Sequence, residues 1–107
     1  MAEAGFSLRS ATAEGTTGTV ISALGQKNGL WTVWVTGASA VVELLYRGHQ
    51  DAPWVPIAAI TAGSEGGAAT ANYALQRYYR YLASQTVKVA SAAGGSAQVT
   101  DFIQMVN

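Results

Sequence analysis

Cysteine is absent, so this chain has neither a disulfide framework nor a thiolate metal site available to it. Charge is scarce: six Lys and Arg balance six Asp and Glu, together 11% of 107 residues. A net charge of zero supplies neither the basic surface that nucleic acid requires nor the acidic character of a solvating tail. Globular domains usually carry about 25% charged residues, so part of this surface is expected to be covered by a partner. No stretch reaches the roughly 20 apolar residues that span a bilayer. The opening MAEAGFSLRSATAEGTTG lacks the basic and apolar regions of a secretory signal, which points to a protein kept soluble in the cytoplasm until it joins an assembly.

What is present is a succession of short runs rich in Trp, Val, Leu and Tyr, separated by clusters of Gly, Ala, Ser, Asn and Pro. Branched and aromatic side chains suit a pleated, half-buried surface, so these runs read as antiparallel strands. Expected strands are Thr17 to Leu24, Leu30 to Thr36, Ala40 to Arg47, Trp54 to Ile60, Thr70 to Leu75, Gln76 to Ala83, Gln85 to Ala90 and Ala97 to Val106. About eight short strands with Gly-rich turns predict an all-β domain, an antiparallel sandwich or jelly roll. Asn28-Gly29 is expected in a turn with positive φ, Gly37 to Ser39 in another, and Thr61 to Ala69 in a flexible loop. Pro56 cannot donate to a ladder, which places its strand at an edge or at a bend.

Alternation assigns faces. Trp31, Val33 and Val35 share one side of their strand and Leu30, Thr32, Trp34 and Thr36 the other; Val42, Leu44 and Tyr46 oppose Val41, Glu43, Leu45 and Arg47. The expected core is Trp31, Val33, Val35, Val42, Leu44, Tyr46, Val87 and Val89, with Tyr79 and Tyr81 turned inward and Arg77 at the rim. Residues 1–16 are too polar to fold alone and are expected to form a flexible arm ahead of a sandwich domain spanning 17–107. In an extended arm Phe6 and Leu8 face one side and can dock on a neighbouring sheet edge.

Catalytic residues are not recognisable. His49, the single histidine, lies two residues from Asp51 in a Gly, Gln, Asp, Ala, Pro loop, with no third ligand or nucleophile in view. Glu43 and Asp101 form a conceivable carboxylate pair, but periodicity puts Glu43 outward beside Arg47. Gly63, Gly66 and Gly67 precede no Lys-Ser/Thr and no helix, so no phosphate cradle is expected. Arg77, Tyr78, Tyr79, Arg80 and Tyr81 interleave guanidinium and aromatic groups, a pattern that suits a core with a subunit contact and, as lesser alternatives, sugar or base stacking. The interface residues expected from this reading are Phe6, Leu8, Leu30, Trp34, Arg77, Tyr78 and Arg80, and no cofactor or metal is expected.

From Leu30 onward the residue order resembles small tailed-phage virion proteins with a β-sandwich fold, found as capsid decoration, head-fibre or tail-associated subunits. The resemblance is carried by Trp31-Thr32-Val33-Trp34-Val35-Thr36-Gly37, then Val42-Glu43-Leu44-Leu45-Tyr46-Arg47, Trp54-Val55-Pro56-Ile57, Tyr79-Arg80-Tyr81 and Val87-Lys88-Val89, and covers roughly Gly29 to Ala90. It departs at Gly48-His49-Gln50-Asp51-Ala52-Pro53, where such proteins often have Asp-Gly directly before the tryptophan. It implies a non-enzymatic virion component, homo-oligomeric with a trimer favoured, bound to a major capsid protein or another virion protein. That component would sit in the virion and in the host cytoplasm during assembly, without direct nucleic-acid contact. Two alternatives stand beside it: a head-tail adaptor or tail-associated ring subunit, and a carbohydrate-binding module using Trp34, Trp54 or Tyr78 as a platform.

Overall fold

A computed structural model describes residues 3–23, 27–37, 39–62, 67–76, 79–89 and 97–106. The chain is all-β. Its strands are β1 (Glu3–Phe6), β2 (Ile21–Ser22), β3 (Asn28–Gly37), β4 (Ala40–Arg47), β5 (Val55–Ala62), β6 (Gly67–Leu75), β7 (Tyr81–Val89) and β8 (Gln98–Val106). Two antiparallel four-stranded sheets have the orders β1-β8-β3-β6 and β2-β7-β4-β5. The pairings β1 with β8, β2 with β7, β3 with β6 and β4 with β5 are nested like one long hairpin rolled up, which is the jelly-roll arrangement.

The core lies between the sheets. Trp31, Val33 and Val35 of β3, Val42 and Leu44 of β4, and Val99 and Ile103 of β8 are fully buried, as alternation requires. Tyr46 packs against this core as expected. Gly37, at φ 91°, starts the turn into β4, a conformation that Gly adopts without a Cβ penalty.

Several expectations need correction. First, Val87 is exposed. Val41 pairs with Lys88 and Val42 with Thr86, so Val87 is the extra residue of a bulge. Leu82, Ser84 and Thr86 face inward before the bulge, and Val89 packs against the core after it. Second, Gln76 to Arg80 is not strand where described, and β7 begins at Tyr81, which pairs with Arg47 on the outer side. Tyr79 does pack against the core, edge-on to Tyr46 with centroids 5.2 Å apart. Third, Asn28 and Gly29 belong to β3, and neither has positive φ. A Cβ on Gly29 would meet the β8 backbone at Gln104, so this glycine serves close approach rather than a turn. Fourth, Thr61 and Ala62 extend β5, and residues 67–69 open β6. Of the strand expected over Thr17 to Leu24, only Ile21–Ser22 is strand among the described residues, and Leu24 lies outside them. Pro56 behaves as read: β5 is an edge strand, and its register with β4 shifts beside the proline.

The largest difference concerns residues 3–16. These residues do not stand away from the sandwich. After β1, the chain bends at Ser7 and continues along β8, where Asp101 N donates to Leu8 O (3.0 Å) and Ala11 and Val99 exchange two backbone bonds (2.9 and 2.8 Å). It turns back through Gly15 at φ 78° and runs along β7, where Gly15 N donates to Thr86 O, Thr86 N to Thr16 O and Gly18 N to Ser84 O, at 2.7, 3.0 and 2.7 Å. One flank of the sandwich is thereby laced shut. Leu8 and Ala11 enter the core, so burial and main-chain bonding together offset the ordering cost that the polar composition alone could not.

Candidate interaction surface

The lacing needs polar groups inside. Asp101, on the inward side of β8, is 0% exposed and accepts hydrogen bonds from Leu8 N, from Trp31 Nε1 (2.7 Å) and from the Ser84 hydroxyl (2.6 Å). Ser84 N in turn donates to Ser7 Oγ (2.9 Å), and the Thr86 hydroxyl donates to Ala13 O (2.5 Å). Every member has a partner, the condition under which a buried polar network is tolerable. Burial pushes the Asp101 carboxyl above the ordinary carboxylate range, while hydrogen bonds from Ser84, the Leu8 backbone, Trp31 and the Ser7 backbone pull it back. The network joins β3, β7, β8 and the N-terminal segment. A carboxylate with no exposure meets no substrate, so Asp101 and Glu43 do not form a hydrolytic pair: Asp101 faces the core, and Glu43 lies on the outer side of the other sheet.

His49 behaves as a turn residue. Its Nδ1 accepts from Asp51 N (3.1 Å) and lies 3.8 Å from the Asp51 carboxylate, both side chains being well exposed. Among the described residues, no group of three or more His, Cys, Asp or Glu is placed to hold a metal.

The outer side of the β1-β8-β3-β6 sheet is different in kind. Register carries alternation across its strands: Leu30 pairs with Gln104 and Ala74, Thr32 with Phe102 and Asn72, Trp34 with Thr100 and Thr70, and Phe6 with Phe102. None of these residues is charged. Toward the β1 edge, Phe6 meets Phe102 edge-on at 5.0 Å and Trp34 at 6.1 Å, a packed aromatic trio across β1, β8 and β3. Phe6 is 37% and Leu30 44% exposed. The Arg9 guanidinium sits 4.5 Å from the Phe6 ring centroid at the rim.

Of the expected interface residues, the structure brings Phe6, Leu30 and Trp34 onto this face. Leu8 is placed in the core instead, because the bend at Ser7 ends the alternation that would have kept it beside Phe6. Arg80 lies in the bend just before β7, its Nη1 donating to Gly48 O (3.4 Å), and Arg77 and Tyr78 fall outside the described residues. Phe102 and Arg9 went unnoticed in the sequence. Phe102 was recoverable, since Val99, Ile103 and Met105 fix the inward parity of β8 and leave Phe102 outward; Arg9 carried no local signal.

Comparison with known proteins finds no matching family and no matching curated protein. A solved structure titled "Bacillus endospore appendages form a novel family of disulfide-linked pili" is similar at 13% identity and a TM-score of 0.46, over 100% of this chain and 87% of that one.

A second aromatic cluster lies at the far end of the other sheet. The Arg47 guanidinium stands 4.4 Å from the Trp54 ring centroid and 5.9 Å from that of Tyr81. One face of Trp54 is therefore occupied by a cation, as Phe6 is by Arg9, whereas Trp34 and Phe102 have no charged side chain among their strand-pair partners. Chemically, this aromatic face can exclude water when a partner covers it.

Proposed function

We propose that this chain is a non-enzymatic, self-associating structural subunit of a phage virion, attached to the head lattice as a capsid decoration protein. The observation that carries the reading is the uncharged outer face centred on Phe6, Trp34 and Phe102. An exposed apolar patch of this kind on a protein with so few charges is the ordinary mark of a contact surface. The resemblance over Gly29 to Ala90 supplies the virion setting. The jelly roll adds only a fold-level analogy, since that architecture serves capsid and lectin domains alike.

Trp34→Glu is the test. The half-buried indole lies on the outer face, so a carboxylate there should leave the core intact and remove the subunit from gradient-purified particles. Retention of the variant at wild-type copy number would place the contact elsewhere. A head-tail adaptor would use the same face, and copy number per particle separates the two.

A further inference from the structure

The four edges of the two sheets are not equally protected. An open edge presents unpaired N–H and C=O groups to any extended chain, and proteins blunt such edges by shortness, proline, bulges or charge. β2 is two residues long, β1 is four, and β5 has Pro56 beside a register shift. β6 has none of these devices. It runs for nine residues, GAATANYAL, with no charge and no proline, and pairs with β3 in unbroken register from Gly29 with Leu75 to Gly37 with Gly67. Among the described residues β3 is its one neighbour.

We propose that the free edge of β6 pairs with β6 of a second copy, antiparallel about a two-fold axis through Ala71. The other strands on an edge are too short or too broken to match nine residues, which leaves β6 itself as the complement. The strand tolerates self-pairing because it brings no like charges together, and the neutral chain adds no long-range repulsion. In this register Thr70 of each copy stands opposite Asn72 of the other on the outer side, a hydrogen-bonding pair formed twice. The two four-stranded sheets become one continuous eight-stranded sheet, and the uncharged outer face doubles in width. The inference deepens the self-association in the proposed function and makes it a closed dimer, where the resemblance implied a trimer.

Sedimentation of the purified chain tests it by charge exchange. Thr70→Lys with Asn72→Lys places like charges opposite each other across the axis, as does Thr70→Glu with Asn72→Glu. Each double variant alone should dimerise about tenfold less tightly than wild type, and an equimolar mixture of the two should recover the dimer. Recovery on mixing cannot come from misfolded protein. The chain has no native cysteine, so a second measurement mixes Thr70→Cys with Asn72→Cys under oxidation. Directly opposed strand residues have Cα atoms about 4.5–5.5 Å apart, within disulfide range, and the mixture should cross-link faster than either variant alone. A wild-type monomer, double variants that dimerise normally, or a mixture that fails to recover would each overturn the pairing. These measurements use no particles, so they can fail while Trp34→Glu still abolishes particle binding, and the reverse also holds.

Discussion

At the scale of single residues, Asp101 governs more than any other side chain. Its carboxyl satisfies three buried donors on three separate segments. Asp101→Ala leaves all three without an acceptor, at about 1 kcal/mol or more each, so a loss of about 3 kcal/mol or more is expected in denaturant unfolding. That is a large share of the roughly 5–15 kcal/mol of an ordinary domain. The pH dependence has a definite sign. Because burial raises this carboxyl in the folded state, the folded chain binds the proton more tightly than the unfolded one. The contribution is fully present below the unfolded value, about 4, and is lost as pH rises through the folded value. Denaturant midpoints measured across that window should fall for the wild type, and the fall should disappear in Asp101→Asn. A wild-type curve that rises instead would show that the three hydrogen bonds outweigh desolvation. Asp101 was visible in the sequence as a strand carboxylate; its burial was not, because its partners lie as far as 93 residues away in the chain.

At the scale of elements, alternation read the sheets well wherever a strand runs without interruption. β3 alternates from Trp31 to Val35 and β4 from Ala40 to Leu44, after which Leu45 is buried as well, and their core faces follow from the sequence alone. The reading failed at β7 because a bulge inserts one residue and reverses parity, and nothing in Gln-Thr-Val-Lys-Val marks where the insertion falls. Val87 should therefore behave unlike a core residue. Val87→Ala, on the exposed bulge, is expected to change stability by no more than about 0.5 kcal/mol, whereas Leu44→Ala in the adjacent strand, fully buried, should cost about 2–5 kcal/mol. Thermal melts of the two variants decide the matter, and equal losses would return Val87 to the core. The outer face was legible through Leu30 and Trp34, since a strand with Trp on both sides must cover both. Phe6 was expected against a neighbour's edge and instead completes the chain's own sheet as part of β1.

At the scale of the whole molecule, the N-terminal segment is a structural member. Removing residues 1–16 would take Leu8 and Ala11 from the core and strip Asp101, Ser84 and Thr86 of partners. The truncated chain is expected to lose on the order of 3 kcal/mol or more, and its urea midpoint should drop accordingly; an unchanged midpoint would mean that the sandwich closes its flank without the segment. Gly18 supports the same closure, since a Cβ there would collide with the Ser7 backbone. The lacing also sets a timetable for the chain on the ribosome. Leu8 is made 93 positions ahead of its partner Asp101, which at about 5–20 residues per second is a delay of roughly 5–20 s. Through that interval the segment has no native partner, and the flank it later seals stays open. Native structure therefore arrives late and nearly all at once, as non-local topology demands. A nascent chain stalled before β8 would present an unlaced flank to every other copy being made nearby.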